Sequence, residues 1–253
     1  MPIHHSSRGY ETGAATYVKG RPSYPPEAAE WLRDDLGVGP GRKVLEVGAG
    51  TGKFIAVLKD CGGEITAVEP VAGMREQLVR AFPEITVLAG TAESIPLPDG
   101  SVDAVVCAQA FHWFATTAAL EEFRRVLTPG GRLGLIWNAR DESVPWVAAL
   151  TDITDHWEGD TPRYRTGNWR RVFPAPGFEA AGERHVRHAH VGSPEDVIVK
   201  RTLSVSFIAA LPPERQADVE RATRALIART PELADRPEIA FPYETVMFAF
   251  RKV

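Results

Sequence analysis

The residues best suited to chemistry lie in one short run, Val44-Leu45-Glu46-Val47-Gly48-Ala49-Gly50-Thr51-Gly52-Lys53-Phe54. An apolar strand candidate turns through Gly48, Gly50 and Gly52, with Ala49 between the first two, and leaves into a candidate helix. Glycine leaves room for a ligand to lie against bare main chain. A dinucleotide, a nucleotide phosphate and an adenosyl cofactor all use such a turn, and the spacing narrows the choice. A nicotinamide fingerprint, G-x-G-x-x-G, requires glycine where this chain has Lys53. A P-loop requires Ser or Thr after its Gly-Lys pair, and here Gly52-Lys53 is followed by Phe54. Both phosphate-binding readings lose ground. Glu46, just ahead of the loop, suits instead a ligand carrying a positive group.

A second acid, in Glu69-Pro70, follows the glycines by roughly 20 residues, where a carboxylate can accept both hydroxyls of a ribose. The alternative is a solvated carboxylate at a strand end. His112, in QAFHWF, is the candidate catalytic residue: an imidazole with an ordinary pKa near ~6.5 can take a proton from a hydroxyl or amine. It serves equally as a packed ring orienting Trp113, or as a plain substrate contact. Trp113 and Phe114 read as pocket wall. Asp103 begins the strand that His112 follows, so the two belong at opposite ends of it, and Asp103 is read as structural. His188 and His190 share one face of a strand and His185 takes the other, an outer-strand pattern for which no metal is expected.

The elements that position these residues alternate. KVLEV, EITAVE, ITVLA, VDAVVCA and GRLGLIWN are strand candidates, with helices opening near Gly52, Val71 and Thr116. This pattern predicts an α/β fold, a doubly wound, Rossmann-like, mainly parallel sheet with helices on both faces. Ligands in such folds sit beyond the carboxyl ends of the strands, so the loop after Val47, Glu69 and the loop after Cys107 should share one cleft. Upstream, PSYPPEAAEWLRDDLGV predicts a helix with Pro25-Pro26 in its first turn and Gly37 at its end. FEAAGERHVRHAHV and IAFPYETVMFAFRKV predict two late strands, separated by a helical stretch from Pro194 to Thr230. The expectation is a single domain over residues 1–253: an amino-terminal lid and helix (1–40), a cofactor-binding core (41–139), and insertions over the substrate (140–176 and 193–237). The lid centres on Tyr17–Tyr24. In the first insertion, Arg163, Arg165, Arg170 and Arg171 either hold a substrate carboxylate or form a solvated face.

Composition bounds the rest. The chain has 253 residues, 44% hydrophobic and 25% charged, with a net charge of −4, which argues against a partner held through nucleic-acid phosphates. Cys61 and Cys107 lie in or beside apolar runs, as expected of reduced, packed thiols. The amino terminus lacks the pattern of a signal peptide. The nearest approach to a membrane span contains Asp103, Gln109 and His112. A cytoplasmic protein with no membrane or nucleic-acid partner and a small-molecule substrate is expected.

These motifs resemble those of the class I S-adenosylmethionine-dependent methyltransferases. VLEVGAGTGKF is similar to their first motif and AVEP to their second. GTAESIPLPDGSVDAVVCAQAFHWF is similar to the following motifs in the branch containing trans-aconitate and ubiquinone-type enzymes. YVKGRPSYPPE, SVSFIAALPPER and FPYETVMFAFR also resemble that branch. The resemblance implies transfer of a methyl group from S-adenosyl-L-methionine by in-line displacement, with S-adenosyl-L-homocysteine as product. It implies that Gly48, Ala49, Gly50 and Gly52 approach the methionine part, that Glu46 lies under its amino group, and that Glu69 and Pro70 hold the ribose. Met74 would pack near the adenine. Many relatives carry an acid where this chain has Thr91, which shifts the adenine contact towards Ala92 and Glu93. Gln109 and Ala110 would flank the methionine part. Apart from the resemblance, Tyr17 and Arg21 of the Gly/Pro-rich lid are placed to close over the cofactor. Two readings stand beside this one: an adenosyl-binding protein without transfer activity, and an NAD-dependent oxidoreductase.

Overall fold

A computed structural model of the chain describes residues 22–253. Seven strands form one sheet in the order β3-β2-β1-β4-β5-β7-β6. Strands β1 (Lys43–Val47), β2 (Glu64–Val68), β3 (Thr86–Leu88), β4 (Val102–Ala108) and β5 (Leu127–Arg140) pair in parallel. Strand β7 (Ile239–Lys252) runs antiparallel to β5, and β6 (Phe178–Gly192) antiparallel to β7 on the outside. The doubly wound, mainly parallel sheet expected from the alternation is therefore present, with an antiparallel pair added at one edge.

Strands buried on both faces need apolar side chains in succession. Leu45, Val105, Leu135, Trp137, Val246 and Phe248 point to one layer, where they meet Phe123 of α4 (Thr117–Val126) and Trp169. Val44, Val106, Ile136, Met247 and Ala249 point to the other, against Trp31 and Leu32 of α1 (Glu27–Asp34) and Leu58 of α2 (Ile55–Cys61). Helix α3 (Ala72–Ala81) joins β2 to β3. The close fit of α1 requires Gly134: a Cβ there would stand 2.4 Å from Leu36 and 2.7 Å from Trp31. Both cysteines are buried free thiols.

The insertions fold as their own layer. Helix α5 (Pro145–Asp155), a π-helical turn (Glu195–Lys200) and α6 (Pro213–Arg229) pack on Phe241 and Tyr243 of β7. Strand β5 begins earlier than the strand candidate GRLGLIWN: Pro129-Gly130 also lies inside it, where the pairing with β4 jumps from Val102↔Leu127 to Ala104↔Arg132 and the turn is expelled as a bulge.

Candidate functional site

The glycine loop lies at the carboxyl end of β1, between β2 and β4, where the strand order reverses. Gly48 and Gly50 have φ of +72° and +58°, in the left-handed region that favours glycine. The Gly48 amide donates to the Val68 carbonyl at 2.9 Å, closing the turn on β2. A Cβ on Gly48 would meet that of Ala110 at 2.8 Å, whereas one on Gly50 would meet nothing within 4 Å. The loop therefore closes on the segment after β4 at Gly48 and opens to a cavity at Gly50.

That cavity collects most of the expected residues. Glu46, Gly48, Ala49 and Gly50 line it from β1 and its loop. Glu69, Pro70 and Met74 line it from β2 and α3, Thr91, Ala92 and Glu93 from the loop after β3, and Gln109 and Ala110 from the end of β4. Trp113 and Phe114 form wall, as expected of them. Gln109 adopts φ +58° while its amide donates to the Ile136 carbonyl at 2.8 Å. A non-glycine residue held in the left-handed region stores strain, a feature that clusters at functional sites.

The two acids differ in what they touch. Glu69 is 5% exposed; its Oε2 accepts from the Gly50 amide and its Oε1 from the Val71 amide, each at 2.9 Å. It thus ties the glycine loop to the start of α3. Burial raises its pKa, opposed by these two amides and by Arg75. Glu46 is 1% exposed and its Oε2 has no hydrogen-bond partner. Burial first, and then the neighbouring Glu69, push its carboxyl well above the ordinary 4.5. An unpartnered buried carboxylate oxygen on a cavity wall is a receptor for a cation or a donor.

Two expected residues lie elsewhere. Gly52 does not border the cavity; its space is filled from behind, where a Cβ would stand 2.9 Å from the Phe82 ring and 3.2 Å from Leu78. That glycine serves the packing of α3 beneath the loop. His112 sits in a one-turn helix (Phe111–Trp113), and Trp113 rather than His112 reaches the cavity. The indole Nε1 of buried Trp137 donates to His112 Nδ1 at 3.0 Å. Indole is a donor only, so Nδ1 carries the lone pair and the proton of the neutral ring sits on Nε2. A second proton must displace the Trp137 bond, which opposes use of the ring as a base. Tyr17 and Arg21, and all of the expected lid up to that point, lie outside the described residues.

Arg163, Arg165, Arg170 and Arg171 of the first insertion do not line the cavity. Arg163 and Arg165 reach Glu158 at 3.4 and 2.6 Å, and Arg170 stacks on Trp169 and Phe248 at 4.6 and 4.8 Å. Asp103 accepts from the Lys43 amide and pairs with Arg42 at the opposite end of the sheet, as read from its place in the strand. No cluster of three or more metal-ligating side chains occurs among the described residues. No helix among them is long and apolar enough to cross a membrane.

Sequence reasoning missed several lining residues: Lys53, Asn138, Pro162 and Arg201. Asn138 was within reach, since it stands near the carboxyl end of β5. Arg201 carried no local signal.

Comparisons with known proteins agree with this geometry. A family model described as a methyltransferase domain matches residues 45–135. An uncharacterized methyltransferase of Mycobacterium tuberculosis is 39% identical over 240 residues, covering 95% of this chain and 94% of its own. One from Schizosaccharomyces pombe is 36% identical over 247 residues, covering 97% and 98%. Among solved structures, geranyl diphosphate C-methyltransferase from Streptomyces coelicolor superposes with a TM-score of 0.51 at 17% identity, covering 90% of this chain and 79% of that one, a likeness of fold.

Proposed function

The chain belongs to the class I S-adenosylmethionine-dependent methyltransferases, and on that premise we propose that it methylates a small-molecule acceptor within the cavity beyond β1 and β4. When bound, S-adenosylmethionine supplies an electrophilic methyl group. The chain's own residues supply binding, orientation and exclusion of water. Glu46 receives the amino group of the cofactor's methionine part on its unpartnered Oε2, and the open face of Gly50 admits the chain that follows. Glu69, already ordered by the Gly50 and Val71 amides, holds the ribose with its remaining lone pairs. Met74 and the Thr91–Glu93 loop border the adenine, while Gln109 and Ala110 flank the methionine part. Trp113, Phe114 and Asn138 wall the side left for the acceptor. His112 orders that wall as a donor, its tautomer set by Trp137.

The observation that carries this reading is the buried Glu46 oxygen without a partner, next to a glycine with open space above it. Calorimetry with S-adenosylhomocysteine and with NAD tests the cofactor: only the first should bind. Radiolabelled methyl transfer into a metabolite extract tests the activity. Binding without any transfer would make the chain an adenosyl-binding protein.

A further inference from the structure

Pro22, Trp113, Phe114 and Pro162 give the acceptor side of the cavity an apolar wall. Lys53 and Arg201 also reach it, and each already has a partner in the protein. Asn138 keeps a donor in reserve. It stands near the carboxyl end of β5, directly across from Thr245 of β7. Its Nδ2 donates to the Ser23 carbonyl at 3.3 Å, and its Oδ1 accepts from the Thr245 hydroxyl at 2.6 Å.

These two contacts fix which way the carboxamide faces. A carbonyl oxygen can only accept, so the nitrogen must be the end turned to Ser23. That leaves Oδ1 towards Thr245, whose hydroxyl then has to donate. Both supports are anchored. Thr245 is 0% exposed, and Ser23 precedes Tyr24, whose ring meets buried Phe54 edge-on at 4.7 Å. A carboxamide nitrogen carries two hydrogens, and Ser23 takes one. The second N–H has no partner among the described residues, although Asn138 is half-buried and lines the cavity. A donor held in one orientation beside an apolar wall is where a ligand's oxygen completes the bonding.

We propose that Asn138 recognises the methyl acceptor, its second N–H donating to an uncharged oxygen, carbonyl or hydroxyl, of a molecule otherwise held by apolar contact. Thr245, which does not line the cavity, is the positioning residue behind it. A carboxylate would need several donors, whereas one N–H supplies a single bond. The assignment rests on the methyltransferase reading above and adds to it the group by which the acceptor is recognised.

Calorimetry of S-adenosylhomocysteine on the full chain comes first, because failure to bind overturns the methyltransferase reading and this proposal with it. The complex is then challenged with acetophenone against isopropenylbenzene, and with 1-phenylethanol against isopropylbenzene. Each pair exchanges one oxygen for a carbon, and benzoate serves as the charged member. At least one oxygen-bearing probe should raise the melting temperature more than its hydrocarbon partner, and the pair that responds tells carbonyl from hydroxyl. In Asn138→Leu that advantage should vanish, with affinity for the probe down roughly fivefold to tenfold and S-adenosylhomocysteine affinity unchanged. Thr245→Val should lose part of the advantage, and Thr245→Ser, which keeps the hydroxyl, should restore it. A merely structural Thr245 would not make oxygen recognition follow its hydroxyl. The proposal is overturned if S-adenosylhomocysteine binds while neither probe outperforms its hydrocarbon, if benzoate alone raises the melting temperature, or if Asn138→Leu leaves the advantage intact. Unaltered discrimination in Thr245→Val would remove Thr245 from it.

Discussion

The two flanks of the cavity are built in opposite ways. The carboxylate flank comes from two nearby stretches, Glu46–Phe54 and Glu69–Met74, joined by hydrogen bonds from the Gly50 and Val71 amides to one side chain, Glu69. Another part of the wall comes from Asn138 near the end of β5 and from Arg201 of the helical insertion, brought together by the packing of that insertion on the sheet. A ligand site made by one turn and two adjacent parallel strands depends on backbone geometry. A site made by an insertion depends on packing, and can change without disturbing the first. This is the arrangement expected where one ligand is common to a family and the other belongs to each member.

Breaking the carboxylate flank should have the largest effect. Glu69→Ala removes the ribose acceptor and leaves two amides at the loop without their partner. S-adenosylhomocysteine affinity, read by calorimetry, should fall roughly 10- to 100-fold. Circular dichroism should show a folded protein, and an unchanged affinity would move the ribose elsewhere.

Glu46→Gln should follow, at about tenfold, and with a pH signature. The buried carboxyl has its pKa raised in the ligand-free protein, so it holds a proton above the ordinary 4.5. Its ionisation is absent from both states below that value. As pH rises towards the raised value, the unfolded chain ionises first and the folded state loses stability. A bound ammonium favours the ionised form, so binding releases a proton and affinity climbs with pH over the same interval. Calorimetry in buffers of different ionisation enthalpy should register the proton in the natural chain and lose it in Glu46→Gln, whose ligand-free form should also melt higher near neutral pH. Equal proton release in both would assign the titration to another group.

His112→Asn should cost turnover by only a few-fold, with no change in the shape of the pH–rate profile, because Trp137 holds the ring as an Nε2 donor. A loss of about 100-fold or more that shrinks at high pH would restore the base. The smallest effect belongs to Arg170→Gln. Its guanidinium lies on Trp169 and Phe248, so the acceptor KM should stay as it is while the melting temperature drops slightly. A raised KM would bring the first insertion into the acceptor site.

The same contrast explains what could be read from the chain before its fold was seen. The strand–helix alternation and the β1 turn are local patterns, and they place Glu46, Gly48, Gly50, Glu69 and Met74 in one cleft. Gly52 belongs to the same motif but faces Phe82, and no spacing rule shows which ring will close beneath a turn. His112 follows β4 as its place in the chain implies, but it is Trp113 that lines the cavity, and the His112 tautomer depends on Trp137, a partner from the next strand. The arginine-rich stretch promised an anion site because charge and aromatics alternate there. Glu158, whose role only the fold shows, draws two of those arginines away. Arg201 lies in an unremarkable amphipathic run, and its value comes from where the insertion is set down.

Strand β7 sits between β5 and β6 although it is the last element of the chain. Synthesis therefore delivers the parallel strands and α1 first, and they can assemble while the ribosome is still at work. Strand β6 emerges with no neighbour to join, and β5 waits with one edge bare. During that interval the chain carries open strand edges, the usual templates for mispairing between molecules. Along β6 the alternating Arg184, His185, Arg187 and His188 make such pairing unfavourable. Closure comes only with Ile239–Lys252, which enters as a wedge bonded on both sides. Deleting residues 242–252 would thus remove far more than their own length, detaching β6, its histidines and the floor beneath the insertion together.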